Sequence, residues 1–314
     1  MLRSGLALAA ALLLGAPATA SEPDAQRLDD HTALIAGTFE PARQPDGNSI
    51  LIEGPDGLIV FDTGRHKAQA DRVIAAAGDK PVVAIVNSHW HLDHVSGNLA
   101  LKAAYPGVRV YGTGAIDKAL TGFLARGLAS NRKALATGML TPGLNEDLRG
   151  DIATVERGAE LRPDVVLTGS ITLNPLTLFV APHAVTAADV WAYDSGAKRV
   201  LAGDLVTLPA PFLDTACPEG WEEALAKIER TPFTTLVPGH GPVMSRDDFR
   251  VWHLGFTSFI DCTGTERPME TCAGGWLATA RHFLSEADAA AAAPLAYYYG
   301  ELLRSGRLQA NCPA

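Results

Sequence analysis

Residues 88–97 read SHWHLDHVSG, and the fold of this chain turns on how they are read. Positions 89–94 hold three histidines and one aspartate, in a chain with only nine histidines. The residues just before, Val82–Val86, form an unbroken apolar run, the pattern of a strand buried on both faces. The histidine segment therefore lies on the loop at that strand's C-terminal end, where a rigid scaffold usually presents functional groups. His89 and His91 are two apart, so an extended backbone can point them the same way. Asp93 and His94 follow after the chain turns and face a neighbouring point. One short segment can thus supply two ligands to each of two metals. Imidazole with carboxylate suits Zn2+, with Fe or Mn possible. The competing reading is a histidine-rich turn that packs or solvates. Three imidazoles and an acid directly after a strand favour the metal.

Upstream, residues 32–37, 49–53 and 58–62 read as strands, with Pro-Asp-Gly at 45–47 and 55–57 between them. This predicts an antiparallel meander. Ala70, Val73, Ile74 and Ala77 recur at helical spacing, and Gly78 ends that helix. Downstream, a helix over 97–104 and a strand over 108–111 complete a βα unit. Residues 115–150 read as an inserted helical segment carrying Ile116, Leu120, Phe123, Leu124 and Leu128. Strand patterns resume at 165–168, 171–173, 176–180, 189–193 and 199–203. A helix over 220–230 leads to a strand at 234–237, closed by Pro238-Gly239-His240-Gly241. Beyond 245 the pattern is mostly helical. Pattern alone implies α/β or α+β with two sheets.

The bulk numbers exclude some classes. Net charge is −9 and no Lys/Arg cluster stands out, so a nucleic-acid partner is not expected. Apolar content of 47% with 19% charged residues is that of a globular chain. Met1-Leu2-Arg3, the apolar run Leu6–Leu14 and Ala18-Thr19-Ala20 read as a signal peptide over residues 1–20. That run is short of the ~20 residues a membrane span needs, so no stable membrane insertion is expected. The expected location is periplasmic or secreted. Cys217, Cys262, Cys272 and Cys312 would then meet an oxidising compartment. Their three possible pairings stay open; Cys262–Cys272 with Cys217–Cys312 is the expected one.

The segment HWHLDH resembles the HxHxDH signature of the metallo-β-lactamase-fold superfamily. LIVFDTG (58–64), RVLAGDLV (199–206) and LVPGHG (236–241) are similar, in order, to further segments of that superfamily. The resemblance runs from about residue 32 to 245. It implies an α+β fold: an αββα four-layer sandwich of two mixed β-sheets, here with a helical C-terminal extension over 246–314. It also implies roles. His89 and His91 would bind one metal, Asp93, His94 and His240 the other, and Asp204 would bridge both. Asp62 would be the acid that positions the ligand loop. The superfamily places a third histidine on the first metal, usually within His-Thr-x-Gly-Asp. Here the segment reads APHAVTAADVWAYD (181–194), with Val185 at that position and His183 two residues earlier. Either the loop is longer and His183 reaches the metal, which is the favoured alternative, or that ligand is lost.

The resemblance implies a zinc hydrolase with a binuclear site and a small-molecule substrate. Asp93 and Asp204 would be its catalytic carboxylates. An Asp at 204, where classical metallo-β-lactamases carry Cys or Ser, points to a broader ester, lactone, thioester or β-lactam hydrolase. The insertion is expected to roof the site, with Trp90 either on the pocket wall or in the core. A metal-binding accessory protein on a degenerate site and an iron-dependent redox enzyme are the alternatives.

Overall fold

The structure is a computed structural model that describes residues 25–40 and 42–313. The expected signal peptide lies outside the described residues. The strands are β1 (Gln26–Arg27), β2 (Thr32–Ile35), β3 (Ser49–Gly54), β4 (Gly57–Phe61), β5 (Val82–Val86), β6 (Arg109–Gly112) and β7 (Val165–Val166). They are followed by β8 (Ile171–Leu173), β9 (Leu176–Pro182), β10 (Ala188–Asp194), β11 (Arg199–Gly203), β12 (Thr235–Pro238) and β13 (Met244–Ser245). The first seven form one sheet in sequence order, and the other six a second sheet in the order β13-β12-β11-β10-β9-β8. Both are mixed. The meander β2-β3-β4 is antiparallel, whereas β4-β5-β6-β7 pair in parallel. In the second sheet only β11 and β12 are parallel.

Strand alternation explains the layering. Ile50, Ile52, Ile59 and Phe61 point between the sheets and meet Leu178, Val190, Leu201 and Val237 of the second sheet. Their neighbours Leu51, Leu58 and Val60 point outward and pack with Val73 and Leu101, on helices Lys67–Ala77 and Asn98–Ala104. Both faces of the first sheet are apolar, so both must be covered. Helices Pro218–Arg230, Arg246–Thr263, Met269–Ala280 and Ala293–Arg304 cover the second sheet. The result is two sheets face to face between helical layers.

The insertion runs further than its predicted end at 150. It holds helices Ala115–Thr121, Phe123–Ala136 and Pro142–Glu156, with a 3-10 turn at Gly158–Leu161. Loose amphipathicity hides the third helix, which starts on a Thr141 cap with proline in its first turn. The two-residue strands β1 and β13 are too short to read from alternation, and β7 keeps only the first two residues of the stretch expected at 165–168. The residues after 245 do not pack as a separate body. Trp252, Phe256, Trp276 and Tyr299 share one core with Val200 and Leu236 of the second sheet. Disulfides join Cys217 to Cys312 and Cys262 to Cys272, the expected pairing. No helix among the described residues is long and apolar enough to cross a membrane.

Candidate metal centre

The ends of β4, β5, β11 and β12 converge along one edge of the sandwich. Phe61, Val86, Gly203 and Pro238 are their last residues, and Asp62, the histidine segment, Asp204 and His240 follow. The approach is tight. A Cβ on Gly239 would collide with Asp204 Oδ1, and Gly239 N–H donates to the Gly203 carbonyl at 2.8 Å. Gly203 itself has φ +52° and faces Ser88, so no side chain fits there.

Leu92–Val95 forms one helical turn, which swings Asp93 and His94 away from His89 and His91. The segment then presents two groups. His89, His91 and Asp204 offer ligand atoms all within 4.8 Å of one another, and so do Asp93, His94 and His240. Asp204 lies between them. Its Oδ2 is 3.7 Å from His89 Nε2, and its Oδ1 is 3.2 Å from His94 Nε2 and 3.6 Å from His240 Nε2. Asp93 Oδ2 stands 3.0 Å from His240 Nε2.

Hydrogen bonds set which ring nitrogen each histidine offers. Asp62 adopts φ +59°, a left-handed conformation that aspartate tolerates better than most residues. Its Oδ1 accepts from Ser88 N–H at 2.7 Å, and its Oδ2 accepts from Ser88 Oγ at 2.7 Å and from His94 Nδ1 at 2.8 Å. With its proton given to Asp62, Ser88 Oγ accepts from His89 Nδ1 at 2.9 Å. One carboxylate therefore leaves Nε2 of both His89 and His94 free of that hydrogen-bond chain. His89 Nε2 is buried without any hydrogen-bond partner, as is Asp204 Oδ1. On the far side, Thr215 Oγ1 donates to the Val185 carbonyl at 2.9 Å and accepts from His91 Nε2 at 3.0 Å. His91 is left with Nδ1.

The electrostatics favour a cation. Burial pushes His91 down to about 4 and His89 well below its ordinary value, so both rings are neutral with a lone pair to offer. Burial would depress His94 too, but Asp204, Asp62 and Asp93 outweigh it and hold that ring well above the usual histidine range. Burial likewise opposes the charge on Asp204, yet His94 and His240 keep it ionised. Asp93, Asp151 and Asp204 line the pocket beside Arg65, the one guanidinium there among the described residues. The unpartnered Nε2 of His89 beside Asp204 suits a metal ion, and the donor set of imidazole and carboxylate suits zinc.

His183 is the exception among the expected ligands, because it belongs to neither group. Pro182 pairs with Ala188, so only residues 183–187 join β9 to β10. His183 N–H is tied to the Ala187 carbonyl at 3.0 Å, its φ is +50°, and its carbonyl abuts Gly220. The hairpin is short, and there is no longer loop to carry the ring inward. Ala184, Val185 and Thr186 are the buried members, and Val185 reaches the site through its carbonyl and Thr215. Thr186 and Asp189 close that turn, with Thr186 Oγ1 donating to Asp189 Oδ1 at 2.9 Å.

Sequence reasoning also missed three supports. Ser88 carried a signal in its place at the strand end; Thr215 carried none. Arg65 follows Asp62-Thr63-Gly64, is largely but not fully buried, and joins Asp151 (2.7 Å) to Asp93 (3.6 Å). Trp90 lies both in a buried cluster with Ile116 and Leu124 and on the wall of the cavity above the site.

Residues 42–240 match the sequence profile of the family described as the metallo-beta-lactamase superfamily. A linear primary-alkylsulfatase of Pseudomonas sp. (strain ATCC 19151) is 46% identical over 50 residues, 15% of this chain and 10% of that protein. An (R)-specific secondary-alkylsulfatase of Pseudomonas sp. is 28% identical over 170 residues, 48% of this chain and 23% of that protein. The chain thus spans less than a quarter of the length of these curated relatives. Among solved structures, a metallo-beta-lactamase from Pseudomonas aeruginosa in its mono-zinc form superposes with a TM-score of 0.52 at 19% identity, covering 73% of this chain and 92% of that one. A metallo-beta-lactamase from Pontibacter korlensis superposes with a TM-score of 0.51 at 20% identity, covering 73% and 95%. At such identities these two speak for the fold.

Proposed function

The chain belongs to the metallo-beta-lactamase superfamily and is a hydrolase of that family, and from this premise we propose that it is an exported two-metal enzyme cleaving a small-molecule ester in the broad sense. Carboxylic and sulfate esters, thioesters, lactones and β-lactams fall within that class. One observation carries the reading: Asp204 turns one oxygen to His89 and the other to His94 and His240. A carboxylate so placed would be shared by two metal ions. His89 Nε2, His91 Nδ1 and Asp204 would hold the first ion; Asp93, His94 Nε2, His240 and Asp204 the second. When bound, the metals supply Lewis-acid activation of water and of the substrate oxygen that gains charge.

The chain's own residues do the rest. Asp62 orients two ligand rings at once, through His94 directly and His89 by way of Ser88. Asp93 lines the cavity, where its carboxylate can take a hydrogen bond from the attacking water and steer a proton toward the leaving group. The two alkylsulfatase relatives support including sulfate esters in the search. The disulfides support export. We further propose that residues 21–245 and 246–314 act as one folded unit, since the later helices complete the core of the second sheet.

The test is metal content by elemental analysis, with turnover of a panel holding a 4-nitrophenyl ester, a primary and a secondary alkyl sulfate, a lactone, a thioester and a chromogenic β-lactam. Two zinc ions per chain and turnover of at least one compound are expected. Metal-dependent turnover of none of them would overturn the hydrolytic assignment. A second reading, binding without turnover, draws on Val185 standing where a third imidazole would complete the first position. If it holds, one equivalent binds at the Asp93 group and the panel stays silent.

A further inference from the structure

The cavity above the centre has a volume of about 390 Å3, and His91, Asp93, Asp204 and His240 form part of its floor. Beside Phe39, Gln44 and Pro45, its other walls come from three segments distant in sequence. Phe123 and Leu128 lie on the inserted helix, Leu208 and Phe212 on the segment after Asp204, and Tyr299 on the C-terminal extension. The rings form a continuous wall. Trp90 is 5.5 Å from Phe123, Phe123 is 6.5 Å from Phe212, and Phe212 is 5.9 Å from Tyr299. The floor joins this wall at His91, whose ring is 4.6 Å from Trp90 and 4.8 Å from Phe212.

Charge is as informative as shape. Arg65 is the one arginine or lysine among the described residues lining the cavity. Its Nη1 is 2.7 Å from Asp151, its Nη2 3.6 Å from Asp93, and its Nε donates to the Pro45 carbonyl at 3.1 Å. No cation is left over for a remote anionic group of a ligand. Asp151 already engages Arg65, so that pair offers a remote anion no net attraction.

Resting on the hydrolase reading above, we infer that the substrate joins its scissile bond to an uncharged apolar group, alkyl or aryl, which occupies this slot. Compounds with a second, remote carboxylate are poor substrates. The apolar group is held by the aromatic wall, and the reacting end lies over Asp204. The insertion and the C-terminal extension together set this preference, since each supplies part of the wall.

Two measurements separate this inference from the hydrolase reading. In the first, the full chain is titrated with the neutral fluorophore N-phenyl-1-naphthylamine, then competed with n-alkanols from propanol to octanol. This needs no turnover. Saturable binding is expected, with alkanol affinity rising about fourfold per methylene, the burial value of a CH2 expressed as a ratio. Leu128→Lys, at the half-buried rim, should weaken both ligands at least tenfold, and Leu128→Met should keep affinity close to wild type. Phe123→Ser repeats the test if Leu128→Lys does not fold. In the second, kcat/KM is compared for 4-nitrophenyl hexanoate and 4-nitrophenyl hydrogen adipate, of equal chain length; the neutral ester should be favoured at least tenfold. A flat alkanol series, or affinity untouched by both Leu128→Lys and Phe123→Ser, overturns the inference. Binding that climbs with chain length while no panel compound is hydrolysed keeps the slot and removes the hydrolase reading instead.

Discussion

The indole N–H of Trp252 donates to the carbonyl of Thr207, three residues beyond Asp204, at 2.9 Å. It is one of three such bonds. Trp221 caps Leu205 and Trp276 caps Pro209, each at 2.9 Å and each fully buried. Alternate carbonyls of the segment leaving Asp204 are thus held by three successive helices, two of them past residue 245. Trp252→Phe keeps an aromatic ring, smaller than the indole, and removes the donor. Leaving a buried carbonyl unpaired costs about 1–3 kcal/mol. A lower urea midpoint is expected, together with weaker zinc retention because Asp204 loses its anchor. Retention equal to wild type would show that the segment holds Asp204 without the indole.

Asp62→Asn keeps the side-chain shape and an amino acid that accepts the left-handed backbone. It loses the acceptor that Ser88 and His94 share. Removing such a support usually weakens metal binding 10–100-fold. Competition against a chromogenic chelator should find both sites weakened, because one carboxylate orients a ligand of each. Weakening confined to one equivalent would mean that the Ser88 relay to His89 is unimportant.

Arg65 holds Asp151 of the insertion and Asp93 of the histidine segment together, with all three side chains largely buried. Arg65→Met leaves the buried Asp151 carboxylate without its cation, a loss of about 3–5 kcal/mol. Arg65→Met combined with Asp151→Leu should recover part of that loss. Urea unfolding of the single and double variants measures both.

His66 gives a pH signature. Its Nδ1 is 2.7 Å from Asp46 and its Nε2 3.0 Å from Asp147 on the insertion. The hydrogen bond to Asp46 outweighs burial and raises the ring above its ordinary value, aided by the Asp147 charge. A group raised on folding stabilises fully below its unfolded value, about 6.5, and that contribution fades as pH rises through the folded value. The gap in urea midpoint between wild type and His66→Gln should therefore be widest near pH 6 and shrink toward pH 9. A gap that widens with pH would reverse the sign and exclude the ion pair.

Much of this protein follows from local sequence. Strand alternation and Pro-Asp-Gly turns predict the first sheet, because side-chain period two and turn chemistry act over a few residues. The ligand segment was legible for the same reason: His89, His91, Asp93 and His94 sit in one loop behind one strand, and His240 stands between glycines at another strand end. His183 shows where that reasoning stops. Whether a loop histidine reaches a metal depends on hairpin register, and the Pro182–Ala188 pair leaves too short a loop. Val185 occupies the interior instead. Thr215, Arg65 and the three indoles act across gaps of tens of residues, so no local pattern marks them. Chain-local rules set which segments are strands and which loop carries the ligands. Only packing of the two sheets and the late helices decided which nitrogen each histidine offers and what walls the cavity, because those contacts join atoms that the sequence keeps far apart.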